Sequence, residues 1–415
     1  MRPRVWRGPK LTGRRFWIHI SRSHFFLFLL QYLPQMKLKQ LPDDFYVEET
    51  TDVVPAQTGP FALYRMEKRG WSTPDALIPL RQRWRVEPRR ISFGGLKDRH
   101  AWTIQYLTIL HGPRRGFHHH DITVTHLGWT DEPYTSQSIR CNRFRLTLRD
   151  LTAEAVEQAE AALNRIAVAG LPNYFDDQRF GSVAGAGEEF IARLLVRGRF
   201  EEALRLALTA PYEFDRGPER KEKTLLRERW GDWKGLANSL RPGHARRLVD
   251  YLRVHPGDYR GAVAGLRPEL RGLYLSAYQS HLWNRMLARW LMTRLRPEQL
   301  QPVALRMGEA PFPIDLDADQ QAELAALHLP LPSSRLKLEP GDPRAELVQF
   351  VLAEEKLELH DMQVRGVREM FFSKGERAGL CMPAQLTHES AADELHPKRS
   401  KLTLAFDLPR GCYAT

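Results

Sequence analysis

The sequence predicts an α+β fold in which one sheet domain is interrupted by a largely helical insertion. Three observations predict it. Residues 36–150 read as short alternating strands joined by turns, and the apolar spacing lengthens to a helical period after Thr152. Alternation then returns at the end, where Leu402, Leu404, Phe406 and Leu408 interleave with Lys401, Thr403, Ala405 and Asp407. At 415 residues the chain has room for two domains of ordinary size.

In order along the chain, residues 1–35 precede the first fold-like segment. They carry Arg14-Arg15 and the apolar run Phe25 to Leu30, with no small-residue cleavage site behind it. They are read as an extension outside the fold, which begins near Met36. Ile122 to Leu127 and Phe144 to Arg149 alternate as half-buried strands do. Thr152 caps a helix whose Val156, Ala159, Leu163 and Ile166 share one face, and Gly170 with Pro172 stops it. Helical spacing recurs over 188–209. Residues 211–268 are rich in Arg, Gly and Pro and form the most basic, least periodic stretch. A long helix from about Leu270 to Leu295 places Leu275, Gln279, Leu282, Met286 and Trp290 near one stripe. The proline-rich stretches 302–313 and 330–343 read as loops.

Composition narrows the function classes. Hydrophobic residues make up 42% and charged residues 27%, a folded globular balance. Lys and Arg number 62 against 50 Asp and Glu, for a net charge of +12, and such a surface favours polyanions such as nucleic acid. Cys141, Cys381 and Cys412 are too few and too scattered for a disulfide framework or a zinc site, and suit a reducing cytosol. His118-His119-His120 reads as a solvated loop rather than a metal site. No segment reaches the ~18 apolar residues of a membrane span.

Candidate chemistry starts at Gly94-Gly95-Leu96-Lys97-Asp98, where a glycine turn delivers a lysine and a carboxylate to the mouth of a strand. The bland reading is an exposed turn pair worth well under ~1 kcal/mol. Asn173 to Gly181 mixes Tyr174, Phe175 and Phe180 with Asn173, Gln178 and Arg179, offering stacking faces and donors for unpaired bases. Its bland reading is a junction of core aromatics with Arg179 paired to Asp176 or Asp177. A third stretch, Lys39 to Glu49, enters a strand through Pro42 with Lys39 at its mouth.

Together these stretches resemble the TruD family of tRNA pseudouridine synthases. The likeness runs from about Lys37 and includes Gly95, Lys97, Asp98, Ala101, Thr103 and Gln105, then Asn142-Arg143-Phe144 and the Asn173 to Gly181 block. It continues through Ser276 to Asn284 and the closing Leu408 to Thr415. The resemblance implies a pseudouridine-synthase catalytic domain on a mixed, largely antiparallel sheet, comprising 36–171 and 373–415, with a helix-rich inserted TRUD domain over 172–372. It implies isomerisation of a D-arm uridine, position 13 in tRNA numbering, in the cytoplasm, by a monomer that needs no obligatory protein partner. Because the product has the same atoms as the substrate, no cofactor or metal is expected.

Residue by residue, the resemblance makes Asp98 the catalytic aspartate. It places Lys39, Asn142 and Phe144 in the active site, Phe144 standing where most other pseudouridine synthases stack a tyrosine on the base. Lys97 joins them as a substrate contact, and Asn173, Phe175 and Arg179 as RNA contacts. Arg99 and His100 are either structural or phosphate-facing. Asp176 stands where the family has glycine, and the chain ends at Thr415 before a short segment the family carries. The rival reading is a basic tRNA-binding or chaperone protein that keeps the scaffold without the catalysis.

Overall fold

The structure is a computed structural model that describes residues 36–183, 189–212, 215 and 217–412. The N-terminal extension and Tyr413 to Thr415 lie outside the described residues. In chain order the first seven strands are Phe45–Thr51 (β1), Phe61–Arg69 (β2), Ile91–Phe93 (β3), Trp102–Leu110 (β4), Phe117–His119 (β5), Ile122–Thr130 (β6) and Ile139–Leu151 (β7). Short strands Leu171–Pro172 (β8), Leu300–Leu305 (β9), Gly308–Pro313 (β10), His328–Pro330 (β11), Glu376–Ala378 (β12) and Leu380–Cys381 (β13) follow. Ala384–Ala392 (β14) and Ser400–Pro409 (β15) close the fold.

One nine-stranded sheet runs β14-β15-β7-β1-β4-β2-β6-β5, with β3 added to β4. Only the β1–β4 pairing is parallel, with Val47 opposite Thr103; the other ladders are antiparallel. The sheet is mixed and largely antiparallel. Its order sets the C-terminal β15 directly beside β7, so the last part of the chain completes the sheet begun by the first.

Side chains alternate across a strand, so the registers assign faces. Val47, Glu49, Lys68, Thr103, Gln105, Asn142, Phe144 and Phe406 share one face. Two helices cover its ends. Thr73–Trp84 packs Ala76, Leu77 and Leu80 against Tyr64, Met66, Leu107 and Ile109. Ala153–Ala169 packs Ala155 and Val156 against Leu402 and Leu404. The gap between the two helices is covered by the loop that leads into β4, and its floor of Glu49, Lys68, Thr103 and Gln105 is fully buried.

The helix Ala153–Ala169 has its cap where the sequence places it: Thr152 Oγ1 accepts the N–H of Ala155 at 3.2 Å, and Gly170 ends it at φ 70°. Elsewhere the reading needs correction. The helix Thr73–Trp84 lies within 36–150 although Pro79 is inside it; Pro74 sits in the first turn, where a missing N–H costs nothing. Residues 302–313 form the hairpin β9–β10, with Pro311 opposite Pro302 in a two-stranded ribbon that tolerates lost donors. His118 and His119 belong to the edge strand β5, not a loop. Cys381 and Cys412 are not scattered: both thiols are free, and Cys412 packs on the apolar cluster that holds Cys381.

A second core gathers residues from Tyr174 to Leu380 around the 27-residue helix Pro268–Arg294, which buries Leu275, Leu282, Trp283, Met286 and Trp290. Among the described residues of the basic stretch are four further helices, Gly217–Glu228, Trp233–Ser239, His244–Val254 and Tyr259–Ala264. Their small apolar sides (Leu226, Leu236, Leu248, Val263) are buried while Lys221, Lys234, Arg241 and Arg247 stay exposed.

Candidate active site

The entry to β1 is shaped by a turn, Pro42–Asp44, in which Asp44 accepts the N–H of Leu41 at 2.9 Å. Lys39 precedes it in the left-handed region at φ 55°, and this turns its side chain back over the sheet. Its ammonium lies 4.0 Å from the Phe45 ring centroid and 2.8 Å from Asp98 Oδ2. A cation over an aromatic face is attracted by the ring quadrupole, so Phe45 fixes Lys39 from one side and Asp98 from the other.

Asp98 sits on the loop that leads into β4. At Gly94 an added Cβ would lie 2.6 Å from Ile139 Cδ1, so glycine is required by close approach to β7. At Gly95 an added Cβ would meet nothing within 4 Å, and neither glycine has positive φ. What holds the loop is hydrogen bonding. The Lys97 N–H donates to Thr73 Oγ1 at 2.9 Å, Thr73 donates to Gln105 Oε1 at 2.8 Å, and Gln105 returns a bond to the Gly95 carbonyl at 3.2 Å.

Beneath the loop lies Lys68, 0% exposed, donating to the carbonyls of Trp71 (2.5 Å) and Asp98 (3.1 Å). Burial pushes its pKa down to about 8, with Lys97 adding to the fall and the Asp98 charge opposing it. Asp98 itself keeps 40% of its side chain exposed. A carboxylate held at its main chain, paired on one side and open on the other, can attack an electrophilic carbon or stabilise positive charge on a sugar.

Lys97 points away from Asp98. Its ammonium donates to Asn142 Oδ1 at 2.7 Å and lies 2.9 Å from Glu49 Oε1. Glu49 is 0% exposed, and its other oxygen accepts the N–H of Tyr106 at 3.1 Å. Glu49 and Asn142 stand opposite each other in the β1–β7 ladder, so Lys97 bridges two neighbouring strands.

Phe144 follows two residues after Asn142 on the same face. It is buried, stacked on Phe406 with centroids 5.4 Å apart, and meets Phe45 edge-on at 6.5 Å. Lys39, Lys97, Asp98, Asn142 and Phe144 thus converge on one stretch of sheet.

The other three candidates lie elsewhere. Asn173 is buried, bonded to the Ala378 carbonyl at 2.9 Å and to the Arg377 guanidinium at 2.6 Å. Phe175 is buried against Trp283, and Asn284 binds both its N–H and its carbonyl. Arg179 donates to Ser276 at 3.3 Å and faces the Phe175 ring. Asp177 accepts the N–H of Arg306 at 2.7 Å. The block joins the two halves of the molecule. Arg99 and His100 are exposed beside Asp98.

Two residues of the site were not singled out from sequence, Glu49 and Lys68. Lys68 had a signal: it continues the row Ala62, Tyr64, Met66 on the apolar side of an alternating strand, where a lysine is out of place. Glu49 had none, since an acidic pair at a strand end reads as solvated. Among the described residues no group of three or more His, Cys, Asp or Glu is placed to hold a metal ion.

Known proteins resemble the chain along nearly its whole length. The family described as tRNA pseudouridine synthase D (TruD) matches residues 33–415. A probable tRNA pseudouridine synthase D 1 of Methanococcus maripaludis is 27% identical over 390 residues, covering 92% of this chain and 97% of that protein. A tRNA pseudouridine synthase D of Aquifex aeolicus is 27% identical over 388 residues, covering 92% and 96%. The crystal structure of a TruD candidate from Methanosarcina mazei superposes with a TM-score of 0.65 at 26% identity, covering 91% of each chain.

Proposed function

Since the chain belongs to the TruD family of tRNA pseudouridine synthases, and so is an isomerase acting on tRNA, we propose that Asp98 is the carboxylate that converts a D-arm uridine, position 13, to pseudouridine. The reaction breaks the bond from ribose C1′ to N1 of uracil, turns the base, and joins C1′ to C5. The C5 proton leaves and N1 gains one, so nothing else is consumed. One observation carries the reading: Asp98 is the half-open carboxylate of the gap, 2.8 Å from Lys39 on a loop tied down at both its main chain and its neighbours.

The remaining candidates take roles around it. Lys39 orients Asp98 and offsets its charge. Phe144, carried on the same sheet face, supports the base once it leaves the stack; unstacking costs a few kcal/mol and base–aromatic contact returns ~1–3 kcal/mol. Asn142 faces the base edge, and Lys97 holds it there. The helices over 217–264 grip the tRNA backbone through exposed Lys and Arg. Residues 172–372 act as an inserted domain, and 373–415 return to the catalytic sheet.

The test is Asp98→Asn. Pseudouridine formation, followed by tritium release from carbon-5-labelled uridine in tRNA, is expected to vanish while tRNA affinity stays within a few-fold. Turnover at the wild-type rate would remove Asp98 from the chemistry.

A further inference from the structure

The Lys97 ammonium carries three donors and no acceptor. At 2.7 Å from the side chain of Asn142 it can only be met by the amide oxygen, because the reversed amide would set donor against donor. The Asn142 amide therefore has one permitted orientation. Lys97 cannot swing aside to release it, because Glu49, fully buried, holds the ammonium at 2.9 Å and is itself held by the Tyr106 N–H. The Asn142 NH2 group then points out of the pair. No residue among those described accepts from it, although Asn142 is only half-buried and stands two positions from Phe144 on the site's face.

We propose that Glu49 and Lys97 are positioning residues that lock Asn142 as a fixed hydrogen-bond donor, and that Asn142 is the residue by which the site selects uracil through its O4 carbonyl. Uracil and cytosine share an acceptor at O2, so only position 4 sets them apart. Cytosine replaces the O4 acceptor with an amino donor, which would meet the locked NH2 donor to donor. A freely rotating amide would accept either base; the buried ion pair removes that choice. A site that leaves a polar group unpaired with the wrong partner discriminates by the full cost of the missing bond. This assignment rests on the uridine-isomerising reading and adds to it a base-edge contact.

The experiment compares pseudouridine formation on tRNA transcripts carrying uridine, 2-thiouridine or 4-thiouridine at the target position, sulfur being a poor acceptor. The wild-type chain is expected to lose about tenfold in kcat/KM on the 4-thiouridine transcript and little on the 2-thiouridine one, the effect of one hydrogen bond at O4. In Asn142→Ala that penalty disappears, and in Glu49→Gln and Lys97→Met it shrinks because the amide regains its freedom. Asn142→Ala removes a half-exposed side chain, so its result stands even where Glu49→Gln fails to fold. A wild-type chain indifferent to sulfur at position 4, one penalised at position 2 alone, or an Asn142→Ala variant that keeps the penalty overturns the assignment while leaving the isomerase reading intact. A wild-type chain that makes no pseudouridine from uridine overturns both.

Discussion

Lys68 is a cation placed at a cost. Its ammonium is fully buried and bound to two carbonyls, one of them that of Asp98. Its pKa falls from 10.5 to about 8 on folding. The sign follows directly. Between pH 8 and 10.5 the unfolded chain holds the proton and the folded chain has shed it, so stability from this group rises with pH across that window. Below pH 8 both states are charged and the desolvation penalty is paid in full. Lys68→Met is expected to lower stability by leaving two carbonyls without a donor, about 1–3 kcal/mol each, and to loosen the loop that presents Asp98. Urea unfolding at pH 7 and pH 9.5 checks it. The gap between wild type and variant should widen at pH 9.5; a constant gap means Lys68 is not perturbed. The sequence showed Asp98 and Lys39 because they stand in short, recognisable stretches. It hid Lys68 and Glu49 because their partners come from strands that only the sheet order brings together.

The elements were legible where local chemistry decides them. Thr152 capping a helix and Gly170 ending it is a pattern set within about twenty residues, and so is the alternation of β15. The hairpin β9–β10 and the helix Thr73–Trp84 were hidden because prolines usually exclude both; Pro74 falls in the first turn, where no donor is needed, but Pro79 lies inside the helix and removes one. The junction at Arg149 lies beyond any local pattern. At the end of β7 its guanidinium, 3% exposed, binds Asp44 at 2.8 Å, Asp393 at 2.9 Å and Glu394 at 3.0 Å. It thereby joins the first turn of the fold to the bend between β14 and β15. Burial pushes the Asp393 carboxyl up, but the N–H groups of Asp150 and Leu395 and the Arg149 guanidinium outweigh it and hold it below its usual value. Arg149 and Lys401 draw Glu394 down to about 2. Carboxyls depressed on folding stabilise above their unfolded values and lose that contribution as pH falls through the folded ones. Arg149→Met strands two buried carboxylates and is expected to cost about 3–5 kcal/mol at neutral pH. It should also flatten the acid response between pH 4.5 and 2. Thermal unfolding across that range would reveal an unchanged acid profile if the junction contributed nothing.

At the scale of the whole molecule, charge is the feature that composition reveals and topology puts to use. The chain carries 62 Lys and Arg against 50 acids, and a few of those cations are buried, as Arg149, Arg377 and Lys68 are. Arg377 stacks 4.0 Å over Phe175, binds Asn173 and reaches the Gly411 carbonyl, and so ties the helical core to both ends of the sheet domain. Exposed cations available to a polyanion gather on the helices over 217–254 and the turns between them, among them Lys221, Lys234 and Arg241. If they meet tRNA phosphates, each contact releases condensed counterions, and log affinity falls with log salt by roughly 0.7–0.9 per phosphate neutralised. Lys234→Ala and Arg241→Ala should each weaken tRNA binding and reduce that slope by about one, whatever base occupies the target position. Asp98→Asn should leave the slope where it was, because a carboxylate proposed to act at the sugar neutralises no phosphate. Titrating tRNA binding against potassium chloride for the three variants separates the two halves of the molecule. A slope unmoved by Lys234→Ala and Arg241→Ala would shift the RNA grip away from this region, onto the cations beside Asp98, among them Arg99.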